Sequence, residues 1–142
     1  MEESFVMIKP DGFKKKVFKE VLERFLKEGL SIKDISILTL DEELVNEHYS
    51  HLVNMSFYPR ILEFMLSGPV IRMTVMGENA VLKIRDIIGE TDSAKAKEGT
   101  IRAMYGDKEI ISHNVIHASD SKENAQLEIK RFDAYQKRLT KH

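Results

Sequence analysis

Short apolar runs alternate along the chain with longer stretches in which apolar residues return every three or four positions. Ser4–Lys9, SFVMIK, is a buried strand by length and composition, and Pro10-Asp11-Gly12 stops it. From Phe13 to Lys27 the residues Phe13, Val17, Val21, Leu22 and Phe25 form a helical stripe, with Gly29 placed to end it. Ser31–Leu40 predicts a second strand, with imperfect alternation around Asp34. Asp41 caps a predicted helix over Glu42–Tyr49, and Pro59 opens another that ends near Ser67-Gly68. Val70–Met76 predicts a third strand. Asn79–Ile88 follows as a helix with Ala80, Val81, Ile84, Ile87 and Ile88 on one side. Glu90–Asp107 is polar and predicts a long loop with short helical turns. His113–His117 predicts a fourth strand. Ser119–Ser121 then supplies cap residues, with Glu123 completing a capping arrangement with Asp120. A helix runs on to about Arg131, and the tail AYQKRLTKH is expected to fray or drape on the surface.

Strands alternating with helices indicate an α/β or α+β sandwich. The pattern mildly favours a parallel sheet and leaves open the antiparallel split βαβ arrangement. The 142 residues favour one domain, spanning 1–142. A net charge of −1 gives no electrostatic reason to expect nucleic acid or an anionic membrane as partner. The absence of cysteine removes disulfide, thiolate and iron–sulfur chemistry and fits the cytoplasm. No stretch approaches the length of a membrane span, and MEESFVMIKPDG does not have the form of a secretory signal.

The segment Asn114–Ser121, NVIHASDS, carries the most pointed chemical question. A lone histidine at a strand end is more often structural than catalytic. His117, however, stands at a strand-to-helix junction, with Glu128 on the helix that follows. A carboxylate there holds one ring nitrogen and leaves the other free to attack. Lys9 ends an apolar strand, where it either snorkels to solvent or points its ammonium at an anion. Arg85, Arg102 and Thr91 make a phosphate clamp in which guanidinium forks match phosphate oxygens. Taken singly, each arginine is more often a surface ion-pair partner. His48 and His51 have metal-pair spacing without a third ligand or an HExxH pattern, so no metal is expected on them. His113 and His142 are expected at the surface, and Asp11, Asp120 and Ser121 as turn and cap residues. No P-loop, protein-kinase motif set or GxGxxG is present. Any phosphate chemistry must therefore use another device, and a histidine nucleophile is one.

Taken in order, IKPDG (Ile8–Gly12), EHY (Glu47–Tyr49), SGPV (Ser67–Val70), GET (Gly89–Thr91), GTIR (Gly99–Arg102) and NVIHASDS resemble the nucleoside diphosphate kinases over nearly the whole chain. The family hallmark N-x-x-H-[GA]-S-D-S is intact. The resemblance implies a ferredoxin-like α+β fold: a four-stranded antiparallel sheet with helices packed on its face and a helical hairpin, 42–67, beside the nucleotide cleft. It implies exchange of a terminal phosphate between nucleoside tri- and diphosphates, with Mg²⁺ carried on the nucleotide, through a phosphohistidine on His117. Glu128 and Ser119 would support His117, and Tyr49 would lie near it and the γ-phosphate. Lys9 would contact the phosphates and sugar, Arg85, Thr91 and Arg102 the phosphates, and Asn114 the ribose. Phe57 would stack on the base with Leu52 lining the same slot, although without the family Phe57 and Tyr49 read more readily as packing residues. A homo-oligomer, tetramer or hexamer, is implied, without membrane or nucleic-acid partners.

Two stretches depart from the family pattern. Residues 92–98, DSAKAKE, lack the prolines usual there in a loop that contributes to subunit contacts. Residues 103–113, AMYGDKEIISH, are longer than the common form and flank the base slot, with Ile111 a candidate opposite Phe57. A non-catalytic nucleotide- or nucleic-acid-binding module is the alternative, supported by the basic residues Lys137, Arg138 and Lys141. It gives no reason for an intact histidine nucleophile. A protein-histidine phosphate carrier is a weaker third reading.

Overall fold

The computed structural model describes residues 1–140. Its four strands are β1 (Glu2–Ile8), β2 (Ser31–Leu38), β3 (Val70–Gly77) and β4 (Ile116–Ala118). They form one sheet in the order β2-β3-β1-β4, with every neighbouring pair antiparallel. The helices are α1 (Pro10–Lys14), α2 (Phe18–Lys27), α3 (Glu42–His48), α4 (Tyr58–Met65), α5 (Ala80–Ile88), α6 (Ile101–Tyr105) and α7 (Lys122–Leu139). The sheet is therefore the expected antiparallel one, and the mild preference for parallel strands is overturned.

The sequence pattern pointed the other way for a physical reason. Helices cover both faces of the sheet, so its inner strands are buried almost throughout and carry apolar residues at successive positions, as parallel strands usually do. Along β1, Val6 and Ile8 enter a core shared with α2 and α5, which contribute Val21, Phe25, Ile84 and Ile88. Phe5 and Met7 enter a second core with Leu44, Val45, Met65, Ile129 and Phe132, from α3, α4 and α7. At edge strand β2, the register with β3 slips between Lys33 and Ser36, and Asp34 is left-handed with φ 54°. That bulge is the cause of the broken alternation at Asp34.

Four element boundaries differ from expectation. The helix predicted over Phe13–Lys27 is two: Pro10 opens α1 early, and Lys16 at φ 59° turns the chain before α2. The fourth strand starts at Ile116 rather than His113, because Val115 adopts φ 64°, which no strand accommodates. The α7 cap is Ser121, whose hydroxyl accepts from Asn124 N; Asp120 instead accepts from the Asn124 side chain, so the Asp120–Glu123 arrangement does not form. Finally, the segment expected to fray continues α7 to Leu139, because Phe132 and Tyr135 are buried beneath it. His142 and Lys141 lie outside the described residues.

Arg72 also fastens α7 to the sheet. It is 1% exposed on β3, donates to Asp133 Oδ1 at 2.7 Å, Gln136 Oε1 at 2.8 Å and Thr74 Oγ1 at 3.1 Å, and lies over the Phe5 ring. Asp133→Ala leaves a buried guanidinium without its counter-charge. Because the Asp133 side chain is 47% exposed, solvent moderates the loss. The expected cost is about 1–2 kcal/mol, read as a lower thermal midpoint.

Candidate active site

The end of β1 and the start of β4 are tied before any side chain reaches the cleft. Lys9 N donates to Val115 O at 2.8 Å, and Asp11 Oδ2 accepts from Val115 N at 3.1 Å. A Cβ on Gly12 would stand 2.4 Å from Val115 O, so only glycine lets the Pro10-Asp11-Gly12 turn approach this close. Asp11 is thus more than a turn residue. The same contact anchors the left-handed Val115 that aims the next two residues.

His117 is the middle residue of β4, opposite Met7. Its Nε2 lies 3.0 Å from Glu128 Oε1, and Ser119 Oγ donates to that same oxygen at 2.6 Å. Burial opposes ionisation of Glu128, but the hydrogen bonds from His117 and Ser119 help hold its pKa below the ordinary carboxylate value. An ionised Glu128 fixes the proton on Nε2 and leaves the Nδ1 lone pair free. The carbonyls on either side of His117 are both held by arginine. Arg102 Nη2 donates to Ile116 O at 2.6 Å, and Arg85 Nη1 to Ala118 O at 3.4 Å. Arg102 also donates to Gly89 O at 3.0 Å. Burial, then Arg85, lowers the Arg102 pKa to about 10, so it stays charged at neutral pH.

Lys9 and Asn114 lock together beside this cradle. Lys9 Nζ donates to Ser112 O at 2.6 Å and Asn114 Oδ1 at 3.0 Å, and Asn114 Nδ2 donates to Thr91 O at 2.9 Å. Burial, partly offset by Asp11, brings the Lys9 pKa down to about 8. As pH rises through that value Lys9 becomes neutral and its hold on an anion weakens. An activity that uses Lys9 to hold an anion is expected to lose kcat/KM above about pH 8, with kcat affected later because a bound anion raises the Lys9 pKa. A Lys9→Gln variant should lose that limb.

Tyr49 lies against His48 and near Met65, its Oη 3.9 Å from the sulfur; burial raises its pKa and keeps the phenol neutral. Leu52, in a 3₁₀ turn at Ser50–Leu52, packs against the second core. Phe57, just before α4, is 45% exposed. Across the chain, 103–113 folds on itself: Asp107 Oδ1 accepts from the amides of Glu109 and Ile110, and Ile111 is left exposed. His113, expected at the surface, is half-buried and stacked on Phe64 at a centroid distance of 3.9 Å. In the loop without prolines, Asp92 caps a 3₁₀ turn at Ser93–Lys95.

The structure brings together His117, Glu128, Ser119, Arg85 and Arg102, and separately links Lys9, Asn114 and Thr91. It adds a neighbour that spacing did not suggest. His48 is 7% exposed, and its ring stands edge-on to that of His117 with centroids 4.8 Å apart. His51 is exposed. The clue for His48 was its place beside Tyr49 in EHY. No local pattern signalled Arg131, which donates to His48 Nδ1 at 3.0 Å.

A histidine with one nitrogen tied and arginines beside it, on an antiparallel α+β sheet, has the parts that phosphoryl transfer through histidine requires. The family model described as nucleoside diphosphate kinase matches residues 2–136. A nucleoside diphosphate kinase of Acetivibrio thermocellus is 39% identical over 132 residues, 93% of this chain and 96% of the relative. The apo enzyme of Encephalitozoon cuniculi superposes with a TM-score of 0.87 at 39% identity, covering 93% of this chain and 88% of that one. The Halobacterium salinarum enzyme in complex with CDP gives 0.87 at 35% identity, covering 92% and 86%. The chain belongs to the nucleoside diphosphate kinase family.

Proposed function

We propose that this chain, as a single domain, moves the γ-phosphate of a nucleoside triphosphate onto a nucleoside diphosphate in two half-reactions at His117. The observation that carries the reading is the His117–Glu128 contact at 3.0 Å on Nε2, which leaves Nδ1 as the open nucleophile. In the first half-reaction a bond forms from Nδ1 to the γ-phosphorus while the bond to the bridging β–γ oxygen breaks, and the nucleoside diphosphate leaves. In the second, a terminal oxygen of another diphosphate attacks the phosphohistidine and restores His117. Phosphoryl transfer asks mainly for positioning and charge neutralisation. On this reading Arg85, Arg102 and Thr91 would hold the phosphates, Lys9 the phosphates and sugar, and Asn114 the ribose. Tyr49, a neutral phenol, suits a donor near the γ-phosphate. Glu128 and Ser119 keep the imidazole oriented as it gains charge.

Phe57, with Leu52 beside it, offers a stacking face, which every base can use. The CDP complex of the Halobacterium salinarum relative supports nucleotide occupancy of this cleft. We infer Mg²⁺ as the metal. Glu128, the carboxylate nearest the nucleophile, is taken by His117 and Ser119, so the donor set fits a metal held by nucleotide oxygens rather than by the protein. Held there, the ion would supply charge neutralisation for the transfer. Self-association into a tetramer or hexamer is supported by edge strand β2, which exposes Ile35 at 46% and Ile37 at 64%. Among the described residues no helix is long and apolar enough to cross a membrane. We place the chain in the cytoplasm on its cysteine-free composition.

Initial rates at several concentrations of ATP and GDP test the reading. Parallel double-reciprocal lines, with labelled phosphate passing from ATP to protein and from protein to GTP, are expected. Intersecting lines and an unlabelled, folded protein would sink it and favour the binding module.

A further inference from the structure

His48 and Arg131 have no part in the roles given above, yet they form the wall behind the nucleophile. Glu128 and Arg131 lie three residues apart on α7 and share one helix face. Glu128 takes His117; Arg131 takes His48, its Nη1 donating to Nδ1 at 3.0 Å. On its other side Arg131 Nε stands 3.6 Å from Glu47 Oε1. A guanidinium does not give up its proton, so His48 Nδ1 can only accept. The His48 proton therefore sits on Nε2, and the ring is neutral. Phe5, Phe132 and Tyr49 enclose it, with centroids at 6.1, 5.4 and 4.8 Å. The charged and titratable groups that act on it are His117 from β4, Glu128 and Arg131 from α7, and His51 from the hairpin. Burial first, and then His117, lowers the His48 pKa to about 3.

That neutrality matters because three potential ligand groups crowd together: the heteroatoms of His48, His117 and Glu128 lie within 4.8 Å of one another. A His48 free to turn over or to charge would compete with His117 for the single carboxylate. Resting on the reading of His117 as nucleophile, we propose that Arg131 is a positioning residue for phosphoryl transfer. Through Nδ1 it locks His48 neutral, in the Nε2–H form, against the His117 ring, and so reserves Glu128 for His117.

Nitrogen-15 NMR of histidine-labelled wild type tests the lock directly. His48 Nδ1 is expected to be unprotonated, with no titration of this ring between pH 8 and pH 5. A protonated Nδ1, or a His48 titration in that range, would overturn the proposal whatever the variants do. Arg131→Met is then expected to lower kcat about tenfold at neutral pH with KM unchanged. The acid limb of its kcat profile should move to higher pH as His48 becomes able to charge. Arg131→Lys should recover most of the rate, since an ammonium also donates to Nδ1. A folded Arg131→Met with wild-type rate and pH profile would equally overturn it. An unlabelled His117 in the wild type would instead defeat the kinase reading, while the NMR result on His48 would stand by itself.

Discussion

His117→Ala is expected to abolish phosphoryl transfer, lowering kcat by at least about 10⁴-fold, because the variant has no atom on which to carry the phosphate between half-reactions. The fold should survive. Ser119 Oγ still donates to Glu128 Oε1 at 2.6 Å, so the carboxylate is not stranded, and β4 keeps its pairing with β1. The measurement is incubation with Mg²⁺ and γ-labelled ATP. Wild type should take up an acid-labile, base-stable label that GDP or CDP discharges as the triphosphate, and the variant should take up none. Label persisting in His117→Ala would move the nucleophile elsewhere. Label that diphosphates cannot discharge would point to a protein-phosphate carrier.

Arg102→Met is expected to have the next largest effect, in two independent readouts. A guanidinium among the transferring phosphates is worth on the order of 10²–10³ in kcat/KM, the cost of removing one preorganised electrostatic donor. The same group holds the carbonyls of Ile116 and Gly89, and it is only 5% exposed. Its loss leaves those carbonyls without their partner and should lower stability by about 1–3 kcal/mol. Assay well below the variant's thermal midpoint separates the two. If activity returns to wild type there, Arg102 is a strut for the His117 strand and no phosphate ligand. Arg102→Lys should restore part of the charge effect, since a single ammonium does not reproduce the fork that spans both carbonyls.

His48 adds a pH dependence of stability. Its pKa in the fold, about 3, lies below the ordinary 6.5, so the unfolded chain binds a proton that the folded one refuses. Stability contributed by keeping this ring neutral is present above pH 6.5 and is lost as pH falls from there towards 3.

Much of this molecule was legible along the chain. Residues 4–9, 70–76 and 79–88 declared their elements because each carries an apolar pattern of the right period. Asp41 did cap its helix, accepting from Leu44 N, and Gly29 ended another with φ 81°. The motifs around Lys9, Arg102 and His117 carried the family, and His117–Glu128 followed from placing a carboxylate on the next helix. Val115 is left-handed because tertiary contacts hold it, Lys9 N on its carbonyl and Asp11 on its amide, whereas Lys16 is left-handed in a local turn that its amide closes on Phe13 O; neither residue type advertises that conformation. The final turns of α7 form because Phe132 and Tyr135 find a core, which the polar composition around them conceals.

The sequence by itself thus determined the element types, the chemical inventory and the family. Each is written in residue identity or in spacing of a few positions. Only the tertiary structure decided the strand order, the covering of both sheet faces and the partners of the buried charges. Arg72 meets Asp133 across 61 residues, Arg131 meets His48 across 83, and Lys9 meets Asn114 across 105. At such separations no local period records which residue faces which. The choice is made when two half-buried helical layers close on one sheet, where each charge taken from water must find a partner within reach.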